Sequence, residues 1–124
     1  MDWSQFKNFS EDEFKCQHTG HSGMDEEFLK KLQSLRTLYN KPMRITSGFR
    51  HPTHPIEKKK SKPGAHSTGH ACDIACSGKE AFELIVLGLR VGMTGIGVSQ
   101  RRGLPRFIHL DDIIKRPRPN IWSY

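Results

Sequence analysis

Between residues 66 and 73 the chain reads His-Ser-Thr-Gly-His-Ala-Cys-Asp, an imidazole and a carboxylate seven residues apart with Gly69 between them. A tight turn at the glycine brings both side chains to one point, with His66 closing a loop and Asp73 on the strand that follows. An imidazole nitrogen and a carboxylate oxygen are natural partners for Zn2+, and a catalytic zinc usually keeps three protein ligands and one open position. The third ligand must therefore come from elsewhere, and His109 is the best candidate. It lies in the strand-like run Phe107-Ile108-His109-Leu110-Asp111, where Ile108 and Leu110 alternate onto the core face and Asp111 shares the face of His109. Taken singly, a loop histidine is usually a surface residue and a strand aspartate near a glycine is often structural; the three together point to a metal.

Other groups with ligand chemistry form weaker patterns. Cys16, Cys72 and Cys76 are too few, and odd in number, for a disulfide scaffold. No second close cysteine pair completes a thiolate site around Cys72 and Cys76, so they read as small buried hydrophobes of a reducing compartment. Cys16-x-His18-x-x-His21 resembles a fragment of a zinc cluster, but its spacing is loose and a fourth ligand is missing. His70, between Gly69 and Ala71, reads as an ordinary polar position.

The elements that must hold these residues follow from periodicity. Phe28, Leu32, Leu35 and Tyr39 recur on one helical face over Asp25 to Tyr39, with Ser22 as the expected cap, and Asn40 and Pro42 end the run. Glu11 to Phe14 fits a single helical turn. Arg44 to Ser47 is a short strand closed by Gly48, and residues 51–70 read as one long, lysine-bearing loop of the functional or disordered kind. Residues 71–76 form a strand with Ala71, Asp73 and Ala75 on one side and Cys72, Ile74 and Cys76 on the other. Ser77 with Glu80 suggests a capping box for a helix over Gly78 to Arg90, whose broad apolar side (Ala81, Phe82, Leu84, Ile85, Leu87, Leu89) is expected to be well buried. Ile96 to Val98 and Phe107 to Asp111 read as strands joined by a turn at 100–103. These elements predict a small α+β single domain over 1–124, with an antiparallel sheet, two main helices and a lead-in over 1–43.

The length of 124 residues fits one domain with a modest core. No apolar run reaches the length of a transmembrane helix, and residues 1–10 lack the apolar centre of a secretory leader. The net charge of +7 is unevenly placed: 7 basic and 1 acidic residue fall in 41–70, and 6 basic and 2 acidic in 101–124. Such a field attracts a polyanion, either nucleic acid or an anionic cell-wall polymer.

Several stretches are similar to a known family. Ser47-Gly48-Phe49-Arg50, His66-x-x-Gly69-x-Ala71-x-Asp73, the late strand Phe107 to Asp111 and the close Arg118-Pro-Asn-Ile-Trp-Ser-Tyr124 resemble the M15 zinc D-alanyl-D-alanine peptidases, over about residues 44–124. The second of these matches the family's metal motif at every fixed position. The resemblance implies a hedgehog/D-Ala-D-Ala metallopeptidase-like fold, Zn2+ as cofactor, and His66, Asp73 and His109 as its ligands. It also implies that Arg50 holds a substrate carbonyl or carboxylate, a role suited to a rigid guanidinium fork.

One departure matters. Relatives often carry a carboxylate a few residues before the last histidine as general base, whereas here Gly103 to Ile108 contains none. Asp111 is the nearest replacement, either as base or as support for a ligand histidine, and His51, His54 and Glu57 are alternatives in the loop. The leading expectation is a monomeric zinc peptidase of peptidoglycan stem or cross-bridge peptides, of the carboxypeptidase or endolysin kind, acting on the wall after release or in association with a phage. A non-catalytic wall-binding or virion module with the same site is the second expectation. A small nucleic-acid-binding domain is the third; it accounts for the basic runs but not for the three ligand-type residues, and no nucleic-acid motif is present.

Overall fold

The computed structural model describes residues 1–124. A lead-in with two 3-10 turns, Trp3–Gln5 and Glu11–Glu13, precedes α1 (Glu26–Tyr39). There follow β1 (Arg44–Ser47), the short α2 (Pro55–Lys58), a 3-10 turn at Ala65–Thr68, β2 (Ala71–Ala75), α3 (Gly78–Val91), β3 (Gly95–Ser99), β4 (Phe107–Asp111) and β5 (Asn120–Ser123). The five strands form one sheet in the order β1-β2-β4-β3-β5, antiparallel throughout except that β5 runs parallel to β3. The expected α+β architecture is therefore present, with the addition of β5, which the sequence reading did not assign.

Side-chain alternation divides the sheet into two faces. Cys72 and Ile74 of β2, Ile108 and Leu110 of β4 and Ile96 of β3 turn toward α1 and α3, where they meet Phe28, Leu29, Leu32, Leu35 and Leu84. Burial of each such side chain contributes about 1.5–3 kcal/mol, so this layer carries most of the stabilisation. The aromatic lead-in closes one end: Phe6, Phe9 and Phe14 are buried, with Phe9 and Phe14 edge to face at 5.5 Å.

The helix caps differ from the sequence reading. Asp25, not Ser22, caps α1, its carboxylate accepting from the Phe28 N–H at 2.9 Å. Ser77 precedes α3 with extended backbone but makes no side-chain cap bond. The apolar side of α3 is only partly covered: Ala81 and Leu84 are buried, while Phe82 is 70% exposed and Leu89 56%. Residues 51–70 are not one irregular loop, because α2 and the 3-10 turn organise them around the buried carboxylate of Glu57.

On the face away from the helices, register builds a row across the sheet. Ser47 pairs with Asp73, Asp73 with His109, His109 with Gly97, and Gly97 with Trp122. Five strands thus deliver consecutive members of one line of side chains, and this line is the floor of the candidate site.

Candidate metal centre and cleft

His66 reaches the row from the 3-10 turn that ends at Gly69. The φ of +79° at Gly69 is open to glycine at little cost, and a Cβ there would strike the Gly23 carbonyl. The Gly69 carbonyl in turn accepts from the Asp25 N–H at 2.9 Å, so the tight turn is packed directly on the start of α1. The reversal sets His66 over β2: its Nε2 lies 3.2 Å from Asp73 Oδ1 and 3.3 Å from His109 Nδ1, and His109 Nδ1 lies 3.3 Å from Asp73 Oδ1. The ligand atoms of His66, Asp73 and His109 all fall within 4.8 Å of one another.

The outer hydrogen bonds decide which nitrogens face inward. His66 Nδ1 lies 2.9 Å from the Gly48 carbonyl oxygen, which can only accept, so this nitrogen carries the hydrogen and Nε2 presents a lone pair. His109 Nε2 lies 2.7 Å from Asp111 Oδ2 and donates to it, leaving the lone pair on Nδ1. Asp73 Oδ1 is buried and has no hydrogen-bond donor. Two imidazole lone pairs and an orphaned carboxylate oxygen therefore converge on one point, an arrangement that repels itself unless a cation sits there. The donor set fits Zn2+: two nitrogens and one oxygen, with both histidines fixed by outer-shell acceptors.

Asp111 sits behind His109, and Gly95 makes room for it, since a Cβ at residue 95 would strike its carboxylate. Arg118 clamps the same carboxylate, Nε to Oδ1 at 3.0 Å and Nη2 to Oδ2 at 2.8 Å. Burial works against the anion, yet these bonds from His109 and Arg118 bring its pKa down to about 2.

Arg50 follows the Gly48 turn, where a Cβ would meet the backbone of Phe14. Its guanidinium donates to Glu57 Oε2 at 3.0 Å and to Ser47 Oγ at 3.1 Å. Glu57 is 2% exposed and also accepts from Lys60 and the Gly64 N–H; burial would raise its pKa, but these donors hold it near 2. Its carboxylate is thereby spent on structure. His51 and His54 lie beside His21 and His18 and do not line the cleft.

The cleft over the triad has a volume of about 600 Å3. Arg50, Lys60, Lys62, Arg116 and Arg118 line it, and among its lining side chains Asp73 is the sole carboxylate. Trp122 and Tyr124 form one wall, with the Trp122 ring 5.0 Å from that of His109. Gly97 admits them: a Cβ there would fall 2.7 Å from Trp122 Nε1 and 2.9 Å from the Tyr124 hydroxyl. Partial burial of the Tyr124 ring raises its pKa. Sequence reasoning assigned no place in the site to Arg118, Trp122 or Tyr124, because β5 and the residues flanking it have no alternating apolar pattern and only the pairing with β3 identifies the strand.

Two histidines and one aspartate thus converge on the open face of a sheet whose other face is covered by helices, a group able to hold a metal ion. The chain belongs to the Peptidase M15 family, whose model matches residues 7–111. The match begins before residue 44, takes in α1 and ends at Asp111. No curated protein matches the chain.

Proposed function

We propose that this chain is a zinc-dependent peptidase that cleaves stem or cross-bridge peptides of peptidoglycan. The observation that supports this most is the convergence of the His66 and His109 lone pairs on the donor-free oxygen of Asp73, on the floor of an open cationic cleft. Zinc held by these three residues would supply Lewis acidity and lower the pKa of a bound water toward neutrality.

The chain's own residues do the rest. Arg50, braced by Glu57 and Ser47, offers its guanidinium to a carbonyl or carboxylate oxygen of the peptide. The lysines and arginines of the cleft draw in a peptide rich in carboxylates, or one embedded in an anionic wall. Asp111, with both oxygens engaged, fixes the His109 ring and tautomer rather than accepting a proton from water. No helix is long and apolar enough to cross a membrane, which suits action on the wall after release.

A second reading, a binding module without turnover, is favoured by one observation: apart from Asp73, the cleft is lined by no carboxylate that could take a proton. The test is to incubate the zinc-loaded protein with purified sacculi and identify released peptides by mass spectrometry, with Asp73→Ala as control. New peptide ends that disappear in Asp73→Ala support the peptidase. Sedimentation of the protein with sacculi without cleavage supports the module.

A further inference from the structure

Of the cations that line the cleft, Arg50, Lys60 and Arg118 have their counterions inside the chain. Arg50 and Lys60 share the buried carboxylate of Glu57, each at 3.0 Å, and Arg118 pairs with Asp111 at 2.8 Å. Lys62 and Arg116 face the same cleft and pair with no carboxylate. The carboxylate in the lining, Asp73, belongs to the triad and lies within 3.3 Å of both histidines. Two positive charges are therefore left unbalanced in a cleft of about 600 Å3.

The fold holds these two charges together. Arg116 Nη2 donates to the Pro63 carbonyl at 2.8 Å, and Lys62 is the residue just before Pro63. This bond anchors the guanidinium and leaves its other N–H groups for a ligand, while the Lys62 ammonium makes no hydrogen bond within the chain. The segment 57–64 separates the pair from Arg50: at one end Glu57 accepts from Arg50 Nη1, and at the other Pro63 accepts from Arg116. Arg50 also donates to Ser47 Oγ, which lies 3.5 Å from His66 Nδ1. Arg50 thus stands beside the triad, and Lys62 with Arg116 makes a second cationic point at the other end of that segment.

We propose that Lys62 and Arg116 form an anion subsite for a side-chain carboxylate of the bound peptide, so that the cleft prefers an acidic stem peptide to its carboxamide form. The inference rests on the reading of the cleft as a wall-peptide site, and it holds whether the peptide is cut or only held. Arg50 meets the carbonyl or carboxylate bound beside the triad. A carboxylate at the other end of segment 57–64 is a separate group, displaced along the peptide. It neutralises the two unpaired charges and offers acceptors to both the ammonium and the guanidinium fork. A carboxamide has nearly the same shape, but it carries one acceptor oxygen and leaves both charges unbalanced. Lys62 is exposed, so its share of the attraction is screened by salt.

The test mixes the zinc-loaded protein with two synthetic stem peptides that differ in one side chain, a carboxylate in one and a carboxamide in the other. Stopped-flow tryptophan fluorescence reads binding ahead of any cleavage, since Trp122 lines the cleft. The acidic form is expected to bind about tenfold more tightly, the scale of a hydrogen bond to a charged group, with the gap narrowing as salt is raised. Lys62→Gln breaks no bond within the chain and should by itself narrow the gap at least about twofold. Lys62→Gln combined with Arg116→Gln, its fold checked by circular dichroism, should bind both forms alike and the carboxamide form as wild type does. Equal affinity of wild type for the two forms, a gap unchanged in Lys62→Gln, or a gap that survives in the folded double variant would each overturn the subsite and leave the peptide reading standing. Binding of neither form by wild type would remove the peptide reading and the subsite with it.

Discussion

Arg118 and His109 share one carboxylate: Asp111 Oδ2 accepts from His109 Nε2 at 2.7 Å and from Arg118 Nη2 at 2.8 Å, while Oδ1 accepts from Arg118 Nε at 3.0 Å. The His109 ring is thus fixed through a relay that begins on the approach to β5. Asp111→Asn keeps the shape but weakens the grip on the His109 tautomer. Zinc affinity should fall about 10–100-fold while turnover at saturating zinc stays within that range. A loss of turnover above about 10^3-fold at full zinc occupancy would instead assign Asp111 the proton-accepting role.

Gly69 is the second point of leverage. A side chain there would collide with the Gly23 carbonyl and also adopt a left-handed backbone. Gly69→Ala should destabilise the fold by more than about 1 kcal/mol, visible as a lower midpoint in urea. Unchanged stability would mean that the His66 turn relaxes freely, against the packing described.

The Arg50–Glu57 pair sets an acid-sensitive element. Glu57 titrates near 2 in the folded chain and near about 4.3 when unfolded, so its stabilisation is complete above the unfolded value and is lost as pH falls through the folded one. The stability gap between wild type and Glu57→Gln should therefore be widest above about pH 5 and close toward pH 2. Denaturant curves at several pH values measure it; a gap independent of pH would contradict the assignment.

On α3, Phe82 projects into solvent while Leu84 lies in the core at 1% exposure. Phe82→Lys should change stability by no more than about 0.5 kcal/mol, whereas Leu84→Ala should cost about 2–5 kcal/mol. Thermal melts of the two variants distinguish these outcomes.

Much of this arrangement was legible in the sequence because it is local. The alternation of Cys72 and Ile74 with Asp73, and of Ile108 and Leu110 with His109, already sorted core from site, and the helical period gave the buried stripe of α1. The parts that escaped depend on partners distant in the chain. Strand β5 has a half-buried Trp122 between exposed neighbours, so only its pairing with β3 identifies it. The structural duty of Glu57 needs Arg50, Lys60 and Gly64 to be in place, and the exposure of Phe82 reflects how little of α3 the neighbouring α1 covers. Capping was misread because serine and aspartate were both available before α1, and local geometry favoured the aspartate.

The strand order β1-β2-β4-β3-β5 places the last strand beside the third, and the relay to His109 runs through residue 118. During synthesis the triad residues emerge well before Arg118, Trp122 and Tyr124. A growing chain therefore has the three residues of the triad without the clamp that orients His109 or the aromatic wall that encloses the cleft. Closure of the parallel β3–β5 pair is a longer-range event than closure of the β3–β4 hairpin. The site is in this sense timed: it becomes whole only after Arg118 and the last strand have been made.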